Sequence, residues 1–277
     1  MENPKFIADN AADRAVITVT PMVAGMSPSA MQNDIYANVC RSTGTQMTIV
    51  LTWPTPELVG GVHEAWSNLS ASGTHQVLGF ADAAGATKVL DTNSALACPW
   101  PAKKLPGKRW TPAKAASAYA FGGGSHGRVW FANTLVRRLE IRINDPANLQ
   151  GYIEIARLVV GKAWSPAIGA DNNPSLTPGG TGTPFRDGAG ARRSTRGTRF
   201  DSLSFDLSNL EEADRAAFWE MADGNGTEVP LVASLYPNDV YPARERDHQG
   251  WWAFSASASV RRPNFRYHGT TVQLESI

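Results

Sequence analysis

Residues 137 to 165 alternate with the regularity of paired β-strands. Leu139, Ile141 and Ile143 fall on one side, Arg138, Glu140 and Arg142 on the other. That is the period of two expected of a strand with one buried face. Asn144, Asp145, Pro146, Asn148 and Gly151 then supply turn chemistry, and Tyr152, Ile153, Ile155, Leu158, Val159 and Val160 resume an apolar run. Two strands around an Asx-Pro-Gly loop predict an antiparallel sandwich. The stretch contains no catalytic dyad and no cluster of metal ligands.

A chain of 277 residues with 42% hydrophobic content can build one large or two ordinary domains around a real core. Its 25 glycines and 18 prolines suit many short strands joined by turns. A formal net charge of +1 argues against the whole chain binding nucleic acid electrostatically. Cys40 and Cys98 are too few for a disulfide framework. Reduced thiols are expected, with a single bridge as the alternative. The start, Met-Glu-Asn-Pro-Lys-Phe, lacks the basic-then-apolar pattern of a signal peptide, and no apolar run reaches the ~20 residues of a membrane helix. No nucleic-acid partner and no membrane insertion are expected.

Along the chain, Arg14 to Thr20, Thr45 to Trp53, Val59 to Trp66 and Thr74 to Phe80 read as strands. Ala95 to Pro112 reads as a long loop, Ala113 to Ala120 as a helical turn or a strand, and Gly122 to Gly127 as a flexible tip. Residues 167 to 197 break the composition, with Gly, Pro, Thr and Asn and no apolar period; they predict an extended arm or a mobile loop. Phe200, Leu203, Phe205 and Leu207 restore alternation. Ser208 to Ala222 reads as a helix, with Ser208 as its cap and Glu211 completing a capping box. Leu210, Ala213, Ala217, Phe218 and Met221 form its apolar stripe. Val229 to Tyr236, Trp251 to Val260 and Phe265 to Leu274 complete the strands. The expected segments are 1–35, 36–166, 167–197 and 198–277.

Gly123-Gly124-Ser125-His126-Gly127 matches G-x-S-x-G, but the residues that follow look extended and the strand-to-helix turn that motif needs is missing. No catalytic residue is assigned. The five histidines show no ligand spacing, and no cofactor or metal is expected. Asp82 with Asp91, and Asp239 with Asp247, could be paired carboxylates or calcium ligands, with turn formation as the expected role. Arg186, Arg192, Arg193, Arg196 and Arg199 could grip an acidic neighbour or a phosphate. Of Trp251 and Trp252, adjacent in a strand, one should face the core and the other outward, toward a neighbouring subunit or a sugar.

Arg138, Leu139, Ile141, Ile143, Asp145, Pro146, Asn148, Gly151 to Ile155, Arg157, Leu158, Gly161, Trp164 and Pro166 make up a pattern that resembles the closing strands of galactose-binding-like (discoidin-like) jelly rolls in tail proteins of long-tailed bacteriophages. Trp66 to Ala71 resembles the turn that opens such domains. The resemblance spans roughly 45 to 166 and implies a mainly β chain: a jelly-roll sandwich followed by a second β-domain with one helix, which is similar in layout to the ring-forming domain of distal tail proteins and implies that Arg14 to Thr20 pairs with residues 198–277. The implied role is structural, in a virion tail tip or baseplate, as a homo-oligomeric ring (hexamer or trimer) contacting tube, hub or fibres. Its assembly contacts would include the five arginines with Trp251 and Trp252. The alternative is recognition of a bacterial surface carbohydrate, with Trp66, Trp130 and Tyr241 as glycan-facing candidates. A hydrolase is the third reading.

Overall fold

The computed structural model describes residues 2–35, 37–98, 125–171, 173–195, 197–262 and 266–277. In chain order the strands are β1 (Lys5–Ile7), β2 (Val16–Thr20), β3 (Cys40–Arg41), β4 (Gln46–Ser67), β5 (Thr74–Phe80), β6 (Lys88–Asp91), β7 (Ala95–Leu96), β8 (Ser125–Asn144) and β9 (Glu154–Gly161). Then come β10 (Ser175–Gly180), β11 (Pro184–Arg186), β12 (Arg192–Ser194), β13 (Arg199–Leu210), helix α1 (Glu212–Asn225), β14 (Leu231–Ser234), helix α2 (Pro242–Asp247), β15 (Gln249–Phe254), β16 (Val260–Arg261) and β17 (His268–Ser276). The chain is mainly β, as its alternation predicts.

The first sheet runs β3-β9-β4-β8-β5-β6, with β2 and β7 added on β4 and β5. It curls into a jelly-roll sandwich because β4 and β8 are long and bent. Gln46 to Thr52 pair with Arg138 to Asn144, and a second stretch, Glu57 to Ser67, pairs with Ser125 to Val136 across register shifts. Two strands expected around Pro54 and Pro56 are therefore one. The prolines fall where the register breaks, so their missing N–H groups remove no ladder bond. Leu139, Ile141 and Ile143 pack inward with Met47, Ile49, Leu51, Trp53 and Ile155. Each such side chain contributes roughly 1.5–3 kcal/mol by leaving water. Cys40 and Cys98 join this core, and burial pushes the Cys40 thiol up to about 11.

The Asn68–Ser70 turn is scaffold. Asp145 accepts from the Ser70 backbone N–H at 2.7 Å and from its hydroxyl at 2.6 Å, while Asn68 accepts from the Glu154 N–H at 2.7 Å. These bonds tie the loop after β8 to the turn after β4.

The second sheet runs β1-β14-β15-β17-β13-β10, with β16 on β17. Lys5–Ile7 pairs with Val232 to Ser234, so the extreme N-terminal strand belongs to this sheet. The strand expected to do so, Arg14 to Thr20, lies instead along Thr48 to Thr52 of β4. Its alternating Ile17 and Val19 pack on the sandwich core, which explains the choice.

Ser208 does not cap a helix. It lies in β13, which continues through Leu210 past a register shift against β17, and its hydroxyl donates to Asp171. Helix α1 starts after Glu211 with no side-chain cap bond, and a second, short helix α2 follows, where one helix was expected. Phe218 and Met221 fill the face that α1 turns to the sheet.

Residues 167 to 197 are more regular than their composition predicts. β10 pairs with β13, and beyond the sheet the same two chains continue as β11 against β12, Phe185 opposite Arg193 and Arg186 opposite Arg192. Both faces of this ribbon are exposed, so it carries no apolar alternation by which a sequence could announce it.

Candidate functional site

The two sheets are packed against one another. Ile7, Ala65, Val159, Val232 and Trp251 form a small core between them, flanked by Trp66 and Trp130. Beside it, Arg128 of β8 donates two hydrogen bonds to Glu245 of α2, at 2.6 and 2.8 Å, with both side chains buried. Close approach is required here. A Cβ on Gly161 would stand 2.2 Å from the Asp9 carbonyl oxygen, so only glycine lets β9 meet the N-terminal segment.

This packing corrects the expectation for the tryptophan pair. Trp251 and Trp252 are both 3% exposed. They do face opposite sides of β15, but Trp251 meets the jelly roll and Trp252 the core under α1. No outward tryptophan remains in that strand because the sheet is covered on both faces. Trp66 and Trp130 are half-buried at the same junction, the second with the Lys5 ammonium 5.9 Å from its ring centroid. Tyr241, the third glycan-facing candidate, is 65% exposed at the start of α2, under the Arg244 guanidinium.

Behind Arg128 lies a buried polar network. His75 Nδ1 meets Glu64 Oε1 at 3.0 Å, and His63 Nε2 meets His126 Nδ1 at 3.3 Å. Burial, then the neighbouring His126 and Arg128, hold His63 well below the ordinary imidazole range, and burial brings His126 down to about 4. Ser125 begins β8, opposite Ser67 in an antiparallel ladder. It is therefore not at a strand-to-helix turn, the setting G-x-S-x-G requires.

Among the described residues, the surface has one cleft at the junction and another beside α1. The first, about 340 Å³, lies at the junction between Asp9, Asp13, Arg14, Asp34, Arg157 and Trp251. Arg157, 4% exposed on its side chain, holds Asp13 at 2.5 Å and Asp34 at 3.0 Å, and its guanidinium lies 5.5 Å from the Trp251 ring centroid. Arg14 bonds Glu57 and Asp9, which raise its pKa further. Among the described residues three carboxylates, Asp9, Asp13 and Asp34, line the cleft against two guanidiniums, with Glu57 bonded to Arg14 beside it, so the cleft is acidic, and the Trp251 ring is buried.

The second cleft, about 410 Å³ and shallow, is lined by Glu212, Arg215, Trp219, Val260, Arg262 and His268. Glu212, Arg215 and Trp219 share one face of α1 by their spacing of three and four. Glu212 accepts from Arg215 at 2.6 Å and meets His268 Nε2 at 2.9 Å. The Arg215 hydrogen bond is the main reason its carboxyl sits below the usual range. Trp219 is 46% exposed. The result is an indole beside a planar carboxylate, guanidinium and imidazole that hold one another in place. Such a set can stack on the C–H face of a sugar ring and bridge adjacent hydroxyls. No sequence expectation singled out Trp219. Its signal was available: a tryptophan off the apolar stripe of an amphipathic helix.

Of the other expected residues, Arg186, Arg192 and Arg193 stand exposed at the ribbon tip, Arg193 on Asp187 at 2.6 Å. Arg199 begins β13. Arg196, Gly123, Gly124 and the expected elements between 99 and 124 lie outside the described residues. Asp82 accepts from the Ala86 and Thr87 N–H groups and Asp239 from that of Tyr241, the turn roles expected of them. No group of three potential metal ligands converges among the described residues.

No family model matches the chain, and no curated protein does. Among solved structures it is similar to chitosan-binding module 1 of a chitosanase/glucanase from Paenibacillus sp. IK-5, at 14% identity over 55% of this chain and 98% of that one, TM-score 0.37. It is also similar to the CBM32 of AlyQ in complex with 4,5-unsaturated mannuronic acid, at 15% identity over 55% and 95%, TM-score 0.35. A third is the lectin domain of lectinolysin complexed with Lewis B antigen, at 13% identity over 56% and 96%, TM-score 0.37. Likeness this slight transfers neither a ligand nor a site.

Proposed function

We propose that this chain is a non-catalytic glycan-binding protein whose ligand lies on the shelf formed by Trp219, Glu212, Arg215 and His268. The observation that carries the reading is the exposed indole of Trp219 set beside an ion-paired, pre-positioned polar trio. Little side-chain ordering is then needed when a sugar arrives, which favours binding.

The test is a glycan array, followed by titration of the strongest oligosaccharide against the intact chain and Trp219→Ala. The variant is expected to bind at least about tenfold more weakly, the loss of one aromatic contact of roughly 1.4 kcal/mol. Unchanged affinity in the variant would move the site elsewhere, and Tyr241→Ala is the next substitution to compare.

A second reading has its own support. The pattern from Arg138 to Pro166 and the exposed ribbon of β11 and β12 suit a structural component of a phage tail tip or baseplate, made in the bacterial host and carried in the virion. In that reading the jelly roll is an insertion between β1 and the rest of the second sheet, and neighbouring chains hold the ribbon. The two readings are compatible, since a tail protein can carry a glycan site.

A further inference from the structure

The ribbon of β11 and β12 and the acidic junction cleft have complementary surfaces. The ribbon leaves its sheet at β10, one end of the order β1-β14-β15-β17-β13-β10, while the cleft takes in Asp9 and Asn10, just after β1 at the other end. An isolated two-stranded ribbon is marginal in water and gains stability by lying against something. Its tip carries Arg186, Arg192 and Arg193 against Asp187, with Phe185 48% exposed. The cleft presents Asp9, Asp13, Asp34 and nearby Glu57 against Arg14 and Arg157, and its lining also includes the apolar Ala8, Val229 and Pro230. The carboxylates of Asp13 and Asp34 remain 42% and 44% exposed beyond their bonds to Arg157.

We propose that the ribbon tip of one copy docks into the acidic cleft of a second copy. Because donor and acceptor are different surfaces at opposite edges of one sheet, the contact is head-to-tail, and each copy added leaves a ribbon and a cleft free for the next. The proposal stands apart from the glycan reading, as neither surface contributes to the Trp219 shelf.

The experiment is native mass measurement at high micromolar concentration and low salt, with three forms of the full chain. The unaltered chain is expected at a multiple of 29.8 kDa, dissociating as salt rises. R186E/R192E, on a fully exposed ribbon, should fold normally and self-associate at least about tenfold more weakly. D9K should weaken association in the same way while leaving Arg157 its partners. A monomeric unaltered chain, or an oligomer indifferent to R186E/R192E, would overturn the proposal.

Discussion

Arg128→Ala is expected to destabilise the chain by about 3–5 kcal/mol, the range found when one partner of a buried ion pair is removed. Glu245 is 1% exposed, and Arg128 supplies two of its bonds; the Asn238 N–H at 3.1 Å supplies another. Truncation would leave a buried carboxylate with one neutral protein donor. For a chain of this size that corresponds to a fall in Tm of roughly 10 °C. The double variant Arg128→Met, Glu245→Leu should recover most of the loss, since the cost lies in the orphaned charge more than in the absence of the pair. A single variant melting within a degree of the unaltered chain would mean that this pair does not hold the jelly roll to the second sheet.

Acid should loosen the same region before it affects the exposed carboxylates. His63 and His126 are kept neutral in the fold, with pKa values below their unfolded value near 6.5, His126 at about 4. Between those pH values the unfolded chain binds more protons than the folded one, so folding stability drops as pH falls. The loss begins near 6.5 and levels for His126 once it protonates in place near 4. A tenfold difference in proton affinity between the folded and unfolded chain is worth about 1.4 kcal/mol, so His126 contributes at most a few kcal/mol, less whatever solvent access screens at its half-buried ring, and His63 acts in the same direction. Asp82 and Asp91, lowered to about 2 by hydrogen bonds, act in the same direction but only below the ordinary carboxylate range. Urea unfolding at pH 7.5 and 4.5 separates the windows. His126→Gln should flatten the upper one, and an unaltered slope would place the acid sensitivity elsewhere.

The sandwich was legible because burial on one face leaves a period of two in the residues. Leu139, Ile141 and Ile143 are inside and Arg142 outside, as their spacing requires. Elements shaped by tertiary pairing were not legible. Ser208 has every local mark of a helix cap, yet the ladder with β17 claims the backbone through Leu210. Trp251 and Trp252 could be given opposite faces, but nothing in an alternating strand says that both faces will be covered. The ribbon of β11 and β12 left no mark because it buries neither face. The Trp219 shelf gathers Glu212, Arg215 and Trp219 from one helix with His268 from a distant strand, and only the folded sheet brings His268 to them.

The nine tryptophans make one measurement most direct: the indole N–H region of a ¹⁵N–¹H spectrum, nine signals assigned by substitution, during titration with the strongest array glycan. The glycan reading predicts that the Trp219 signal moves with saturable dependence while those of buried Trp251 and Trp252 stay in place. Movement at Trp66 or Trp130 with Trp219 unchanged, or no movement with any array glycan, would contradict it.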